Sequence, residues 1–149
     1  MLTISERLGH YHGDADDTIT LDFDTRQKAR IKVTTDKGEP VGIFIARGKP
    51  LRVGEHLRSE CGKVIKVIGA LEAVTTASTD DWHTFSKVCY HLGNRHTPIE
   101  ITELIVRFQP DHVLANMCSD WGLTVKNVER PFYPESGAYG KHAEHRHGH

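Results

Sequence analysis

The sequence predicts an α+β protein in three parts. A small all-β domain covers residues 1–72, a ferredoxin-like βαββαβ domain covers 73–135, and a histidine-rich tail covers 136–149. Three observations predict this. The first 70 residues alternate apolar and polar positions in short runs between Gly and Pro turns, the period-two signature of half-buried strands. From about residue 65 the pattern reads strand, helix, strand, strand, helix, strand, the split βαβ order. From Pro131 the composition shifts to Pro, Gly, Glu, Lys and His, too polar to pack.

Each element has a local reason. TITLDFDTRQ alternates Ile19, Leu21 and Phe23 with polar residues. ARIKVTTDKG repeats the alternation with Ile31 and Val33, and Asp36-Lys37-Gly38 supplies a turn. VGIFIARG is a more continuous apolar run ending at Gly48, and Lys49-Pro50 opens a segment with Leu51 and Val53 that closes at Gly54. Together these suggest a small barrel or sandwich. KVIKVIGALEAVTTAS reads as one strand or two, with Gly69 at a bulge or domain joint. Asp80 or Asp81 caps a helix whose face is Trp82, Phe85, Val88, Cys89 and Leu92, and Gly93 stands where a left-handed cap belongs. TPIEIT and ELIVRFQ are strands with a tight link near Thr102-Glu103. Asp111 caps a second helix with Val113, Leu114, Met117, Cys118 and Trp121 inward and Gly122 at its end, and LTVKNV is the last strand.

Composition bounds the function. Nineteen Lys and Arg nearly balance twenty Asp and Glu, which gives no electrostatic footprint for nucleic acid or an anionic membrane. MLTISERLGH lacks a basic region followed by an apolar run, and no stretch approaches a membrane span. Cys61, Cys89 and Cys118 are odd in number and far apart, which argues against a disulfide framework or a zinc ribbon. They read as small residues in or near a core, in a reduced, cytoplasmic protein. The sequence contains no H-E-x-x-H, P-loop, G-x-S-x-G or G-x-G-x-x-G, so no enzyme is predicted.

The outlier is histidine, eleven in all. His142, His145, His147 and His149 are spaced by three, two and two residues, close enough for their imidazoles to wrap Ni²⁺, Zn²⁺ or Cu²⁺. An engineered tag would be an uninterrupted run, and a solvated spacer is the plain alternative. In HLGNRH, His96 follows Gly93 by three residues and should project from an exposed corner. By itself it is an ordinary surface histidine, whereas two copies across a two-fold axis make half of a metal site. His91 is an auxiliary candidate ligand, equally explained as a favourable charge at a helix C-terminus. His112 is a second auxiliary candidate, held neutral by its place in a helix first turn. His10 and His12 form an H-x-H in a loop and read as solvated.

HLGNRHTPIEI, PDHVLANMCSDWGLTV and PFYPESGAYGKHAEHRHGH, in that order, resemble the urease accessory nickel metallochaperone family. The resemblance implies an N-terminal β domain for peptides or partner proteins and a ferredoxin-like metal domain that forms a homodimer. It implies that His96 meets its symmetry mate to share one nickel, and that tail histidines complete the site. It further implies delivery of nickel to apo-urease together with an accessory GTPase and other accessory proteins. The chain departs from some relatives at Pro110, where they carry a second histidine two residues before the one in D-H-V-L. That weakens a site around His112. The alternative is a protein-interaction module of the urease maturation complex whose histidines are incidental or sense pH or metal.

Overall fold

The computed structural model describes residues 1–135, and the chain divides into two units, Met1–Ala70 and Leu71–His149. Alternating apolar residues build the first unit. Its elements are β1 (Leu2–Leu8), β2 (Asp17–Leu21), the one-turn helix α1 (Phe23–Arg26), β3 (Arg30–Thr34), β4 (Pro40–Phe44), β5 (His56–Ser59) and β6 (Val64–Gly69). They form a six-stranded sheet in the order β2-β6-β5-β1-β4-β3, with β1–β4 and β2–β6 parallel and the other pairs antiparallel. The Asp36 N–H donates to the Thr18 carbonyl at 2.8 Å, so the turn after β3 meets β2 and the sheet curls. Ile4, Ile19, Ile43, Leu57, Ile65 and Val67 fill the enclosed face. Each such side chain contributes roughly 1.5–3 kcal/mol through burial.

Two expectations need correction in this unit. The alternation through Phe23 stops being a strand at Leu21, because the Asp22 carboxylate accepts the Thr25 N–H at 2.9 Å and caps α1. Phe23 keeps its place in the core as a helical residue. The Lys49 to Gly54 segment is loop, and Leu51 is nonetheless buried.

The second unit runs β7 (Glu72–Ser78), α2 (Trp82–Asn94), β8 (Ile99–Thr102), β9 (Ile105–Phe108), α3 (His112–Asp120) and β10 (Thr124–Arg130). Its sheet order is β10-β7-β9-β8 and every pair is antiparallel. Phe85, Val88 and Leu92 of α2 join Leu114 and Cys118 of α3 in one cluster with sheet residues such as Val106 and Phe108. Both helices therefore lie over one face. Trp82 and Val113 were read as core-facing, yet each is more than half exposed at the edge of its helix, at 54% and 53%.

The helix ends explain the local chain path. Asp81 accepts the Thr84 N–H at 3.0 Å, and Asp111 accepts those of Val113 and Leu114 at 2.9 and 3.1 Å. Gly122, with φ of +90°, ends α3 as expected. Gly93 does not end α2. It lies inside the helix, and the left-handed residue is His96, with φ of 58°. The Pro131 to Glu135 segment, expected to be unpacked, is anchored: Phe132 is fully buried and the Glu135 N–H donates to the Ile99 carbonyl at 2.7 Å.

Candidate metal-binding site

His96 is held by a helix terminus rather than by a loop of arbitrary shape. Its N–H donates to the Gly93 carbonyl at 3.0 Å, and the Thr97 N–H donates to that of Leu92 at 3.4 Å. These two bonds are the Schellman motif, which satisfies carbonyls that the last helical turn leaves open. The motif requires a left-handed residue, and here that residue is a histidine. The buried Leu92 side chain fixes the helix beneath it, and His96 is exposed beyond it. A side chain in this conformation costs an L-residue on the order of 1–2 kcal/mol, a cost glycine avoids.

His91 lies one turn earlier and is half-buried. Its ring meets Tyr90 at 5.2 Å and Trp121 at 5.0 Å, both edge-on. Lys87 places its ammonium 4.9 Å from the Trp121 ring centre. The ring of His91 therefore serves aromatic packing between α2 and the end of α3. His112 is the first residue of α3 and is exposed, as is the loop containing His10 and His12. His142, His145, His147 and His149 lie outside the described residues. Among the described residues no three His, Cys, Asp or Glu side chains gather as a metal site.

A feature that sequence reading missed sits on β8, the strand that follows His96. Glu100 on β8 is 5% exposed and accepts hydrogen bonds from Arg107 at 3.1 Å and Arg130 at 3.3 Å. Its other oxygen accepts the Tyr133 N–H at 2.9 Å. Arg107 and Glu100 are directly paired across β8 and β9, which places both on one face. Together with the bond from Glu135 to Ile99, this fixes the origin of the tail to the strand that follows His96. The available signal was a single charge, Glu100 or Arg107, in each of two otherwise largely apolar strands, IEIT and IVRF.

The thiols differ by environment. Burial pushes Cys118 up to about 11, with a smaller contribution from Cys89, and burial likewise raises Cys89. Neither is poised as a thiolate ligand. Cys61 is exposed, and the Ser59 hydroxyl and the Lys63 N–H lower its value. The expectation of three cysteines in or near a core thus fails at Cys61, which occupies the turn between β5 and β6.

Comparison with known proteins covers both units. Residues 4–70 match the N-terminal domain of UreE urease accessory protein, and residues 72–149 match its C-terminal domain. A urease accessory protein UreE from Alteromonas mediterranea is 58% identical over 141 residues, covering 95% of this chain and 92% of the relative. One from Psychromonas ingrahamii is 55% identical over 150 residues, covering 100% and 99%. One from Marinomonas sp. is 51% identical over the same length. No helix among the described residues is long and apolar enough to cross a membrane. The chain belongs to the UreE urease accessory protein family.

Proposed function

We propose that the protein is a nickel carrier that loads apo-urease during assembly of its active site. In this reading the second unit is a ferredoxin-like domain, supported by its β-α-β-β-α-β order and antiparallel β10-β7-β9-β8 sheet. Two copies associate through it, and His96 from each protomer contributes an imidazole to one Ni²⁺. The exposed Tyr90 on the outer face of α2, 68% accessible and six residues before His96, supplies apolar surface for such a contact. A two-fold axis beside His96 doubles its imidazole without further ligands from the same chain.

The observation that carries the proposal is where the tail begins. Glu135 is bonded to Ile99, three residues beyond His96. His142 follows Glu135 by seven residues, which span at most roughly 23–25 Å when extended. The tail histidines His142, His145, His147 and His149 are thereby within tether of His96. His91 and His112 are auxiliary ligands at most, His91 because its ring is engaged by Tyr90 and Trp121. Imidazole also suits zinc and copper, so nickel selectivity comes from supply and from partners, including the accessory GTPase. Delivery proceeds by ligand exchange between imidazoles. No step calls for a general base, and the protein acts as a carrier rather than a catalyst.

Calorimetric titration of nickel into wild type and His96→Ala tests this. The variant should lose the tight site, and unchanged affinity would sink the proposal. Binding should also weaken as pH falls from about 7 to about 5, because protonated imidazole cannot ligate. Capture of urease accessory proteins that persists in full with a chelator present would favour the interaction-module reading instead.

A further inference from the structure

The sheet of the second unit has a face that metal carriage does not use. Ala77, Val106 and Phe108 share one cluster with residues of α2 and α3. Alternation turns their chain neighbours Thr76 and Arg107 to the opposite face. Strand register sets Lys126 beside Thr76, Thr76 beside Arg107, and Arg107 beside Glu100. These four residues therefore form one row across β10, β7, β9 and β8. Directly opposed residues hold their Cβ atoms about 4.5–5.5 Å apart. The strand residues of this face carry the cations Lys126, Arg107 and Arg130 against the carboxylates Glu72 and Glu100.

The hydrogen bonds of this row leave two polar atoms over. Arg107 spends Nη1 on Glu100 at 3.1 Å and on the Thr102 hydroxyl at 3.5 Å. Its Nε is buried with no hydrogen-bond partner among the described residues. The same holds for Oγ1 of Thr76, its direct neighbour across the sheet. Buried polar atoms are costly to leave unpaired, and an unmodelled ion or water is the usual explanation for those that remain. Arg Nε–H can only donate, and the threonine hydroxyl can donate as well. Two such donors side by side point to an acceptor from outside these strands. At the next position of the row Lys126 is exposed, and among the described residues it is held in no ion pair. The row is thus open to solvent at its Lys126 end.

We infer that Arg107 and Thr76 hold a small oxyanion. The Arg107 Nε–H and the Thr76 hydroxyl each donate to one of its oxygens, and the Lys126 ammonium closes the solvent side. Fixed donors of this kind suit an acceptor with two oxygens on one centre, which carboxylates and phosphate share. A single bridging water is the plain alternative, since it too can join two buried polar groups. Charge decides between them. Glu100, beyond Arg107 in the row, is paired by both Arg107 and Arg130, which leaves Lys126 without a counter-charge on this row. An anion satisfies the two donors and the cation together, whereas water satisfies only the donors.

The test uses the full chain without added metal, isotope-labelled, with the Nε–H resonance of Arg107 followed by nuclear magnetic resonance. Inorganic phosphate and sodium acetate are titrated separately, against sodium chloride at matched ionic strength. One of the two oxyanions should move the resonance saturably and raise the melting temperature beyond the effect of chloride. Whichever binds more tightly tells a tetrahedral ligand from a planar one. Thr76→Val keeps the β-branched shape and removes a hydroxyl that bonds no described residue. It should bind the anion roughly threefold to tenfold more weakly, yet melt no lower than wild type when the anion is absent. Lys126→Ala should weaken binding about twofold to threefold. Both variants leave the pairing of Arg107 with Glu100 intact, so the fold is preserved while the site is probed. No saturable shift, a shift matched by chloride, or equal affinity in wild type and Thr76→Val would overturn the inference and leave water as the occupant.

Discussion

The two long helices of the second unit end in the same motif with different residues. In α3 the Gly122 N–H donates to Ser119 and the Leu123 N–H to Cys118, each at 3.0 Å. In α2 the same two bonds run from His96 to Gly93 and from Thr97 to Leu92. Both motifs sit on a fully buried residue, Cys118 or Leu92. The left-handed position is glycine in α3 and histidine in α2. Glycine is the residue that this backbone prefers. Placing an imidazole there gives up some stability for a side chain held at a fixed corner. The chain after α2 enters β8, which also receives the origin of the tail, whereas the chain after α3 enters β10.

The largest effect that sharpens this difference lies in β8. Glu100→Ala removes the acceptor for Arg107, Arg130 and the Tyr133 N–H together. Leaving a buried cation unpaired costs about 3–5 kcal/mol, toward the lower figure here because Arg130 is a third exposed. Urea denaturation should show that loss. Nickel titration should show in addition a weaker contribution from the tail, since one of the two bonds tying its origin to β8 is lost while that from Glu135 to Ile99 remains. A destabilised variant with an unaltered tail contribution would separate the anchor from the site and break the proposed link between the two ends.

Much of this was legible in the sequence because periodicity reports burial. Ile19, Ile31 and Val33 alternate, and Phe85, Val88 and Leu92 recur at helical spacing, so their strands and helix follow directly. Asp111 and Gly122 carry their own signals because a cap and a left-handed glycine are local devices. The end of α2 was misread for the same reason. Gly93 carries the signal for a left-handed residue, but the position is decided by the Leu92 packing and the Thr97 bond, which lie outside any residue-type rule. Likewise Phe23 continues an alternation while Asp22 stops it. Nothing in TPIEIT marks Glu100 as buried, and only pairing of β8 with β9 brings Arg107 to it. His96 was legible as an exposed corner, but nothing in its own stretch indicated that the tail starts next to Ile99.

At their N-terminal ends the two helices can be compared by removing caps. Asp111→Ala should destabilise by about 1–2 kcal/mol, since two N–H groups lose their acceptor. Asp81 behaves as a pH-dependent cap. The Thr84 hydroxyl, then the Thr84 N–H, hold its carboxyl below the ordinary 3.8. Because the folded value lies below the unfolded one, its contribution is complete above 3.8 and is lost as pH falls through the folded value. Thermal melts of wild type and Asp81→Asn should therefore differ near neutral pH and converge in acid. A constant gap across that window would show that the cap acts without its charge.

The smallest expected effect separates backbone from chemistry at the two C-terminal ends. Gly122→Ala adds a Cβ that meets nothing within 4 Å, so any cost is that of a left-handed L-residue, about 1 kcal/mol. His96→Gly runs the other way and should stabilise the second unit by up to about 1 kcal/mol, because glycine accepts the φ of 58° that histidine resists. The two variants thus have opposite signs in the same motif. If His96 were present only to close the helix, glycine would replace it without penalty to any property. On the proposed function it improves folding while removing nickel binding, so stability and affinity move in opposite directions in one protein. Parallel loss of both would mean that the imidazole itself supports the fold, and the contrast between the two helix ends would then carry no functional meaning.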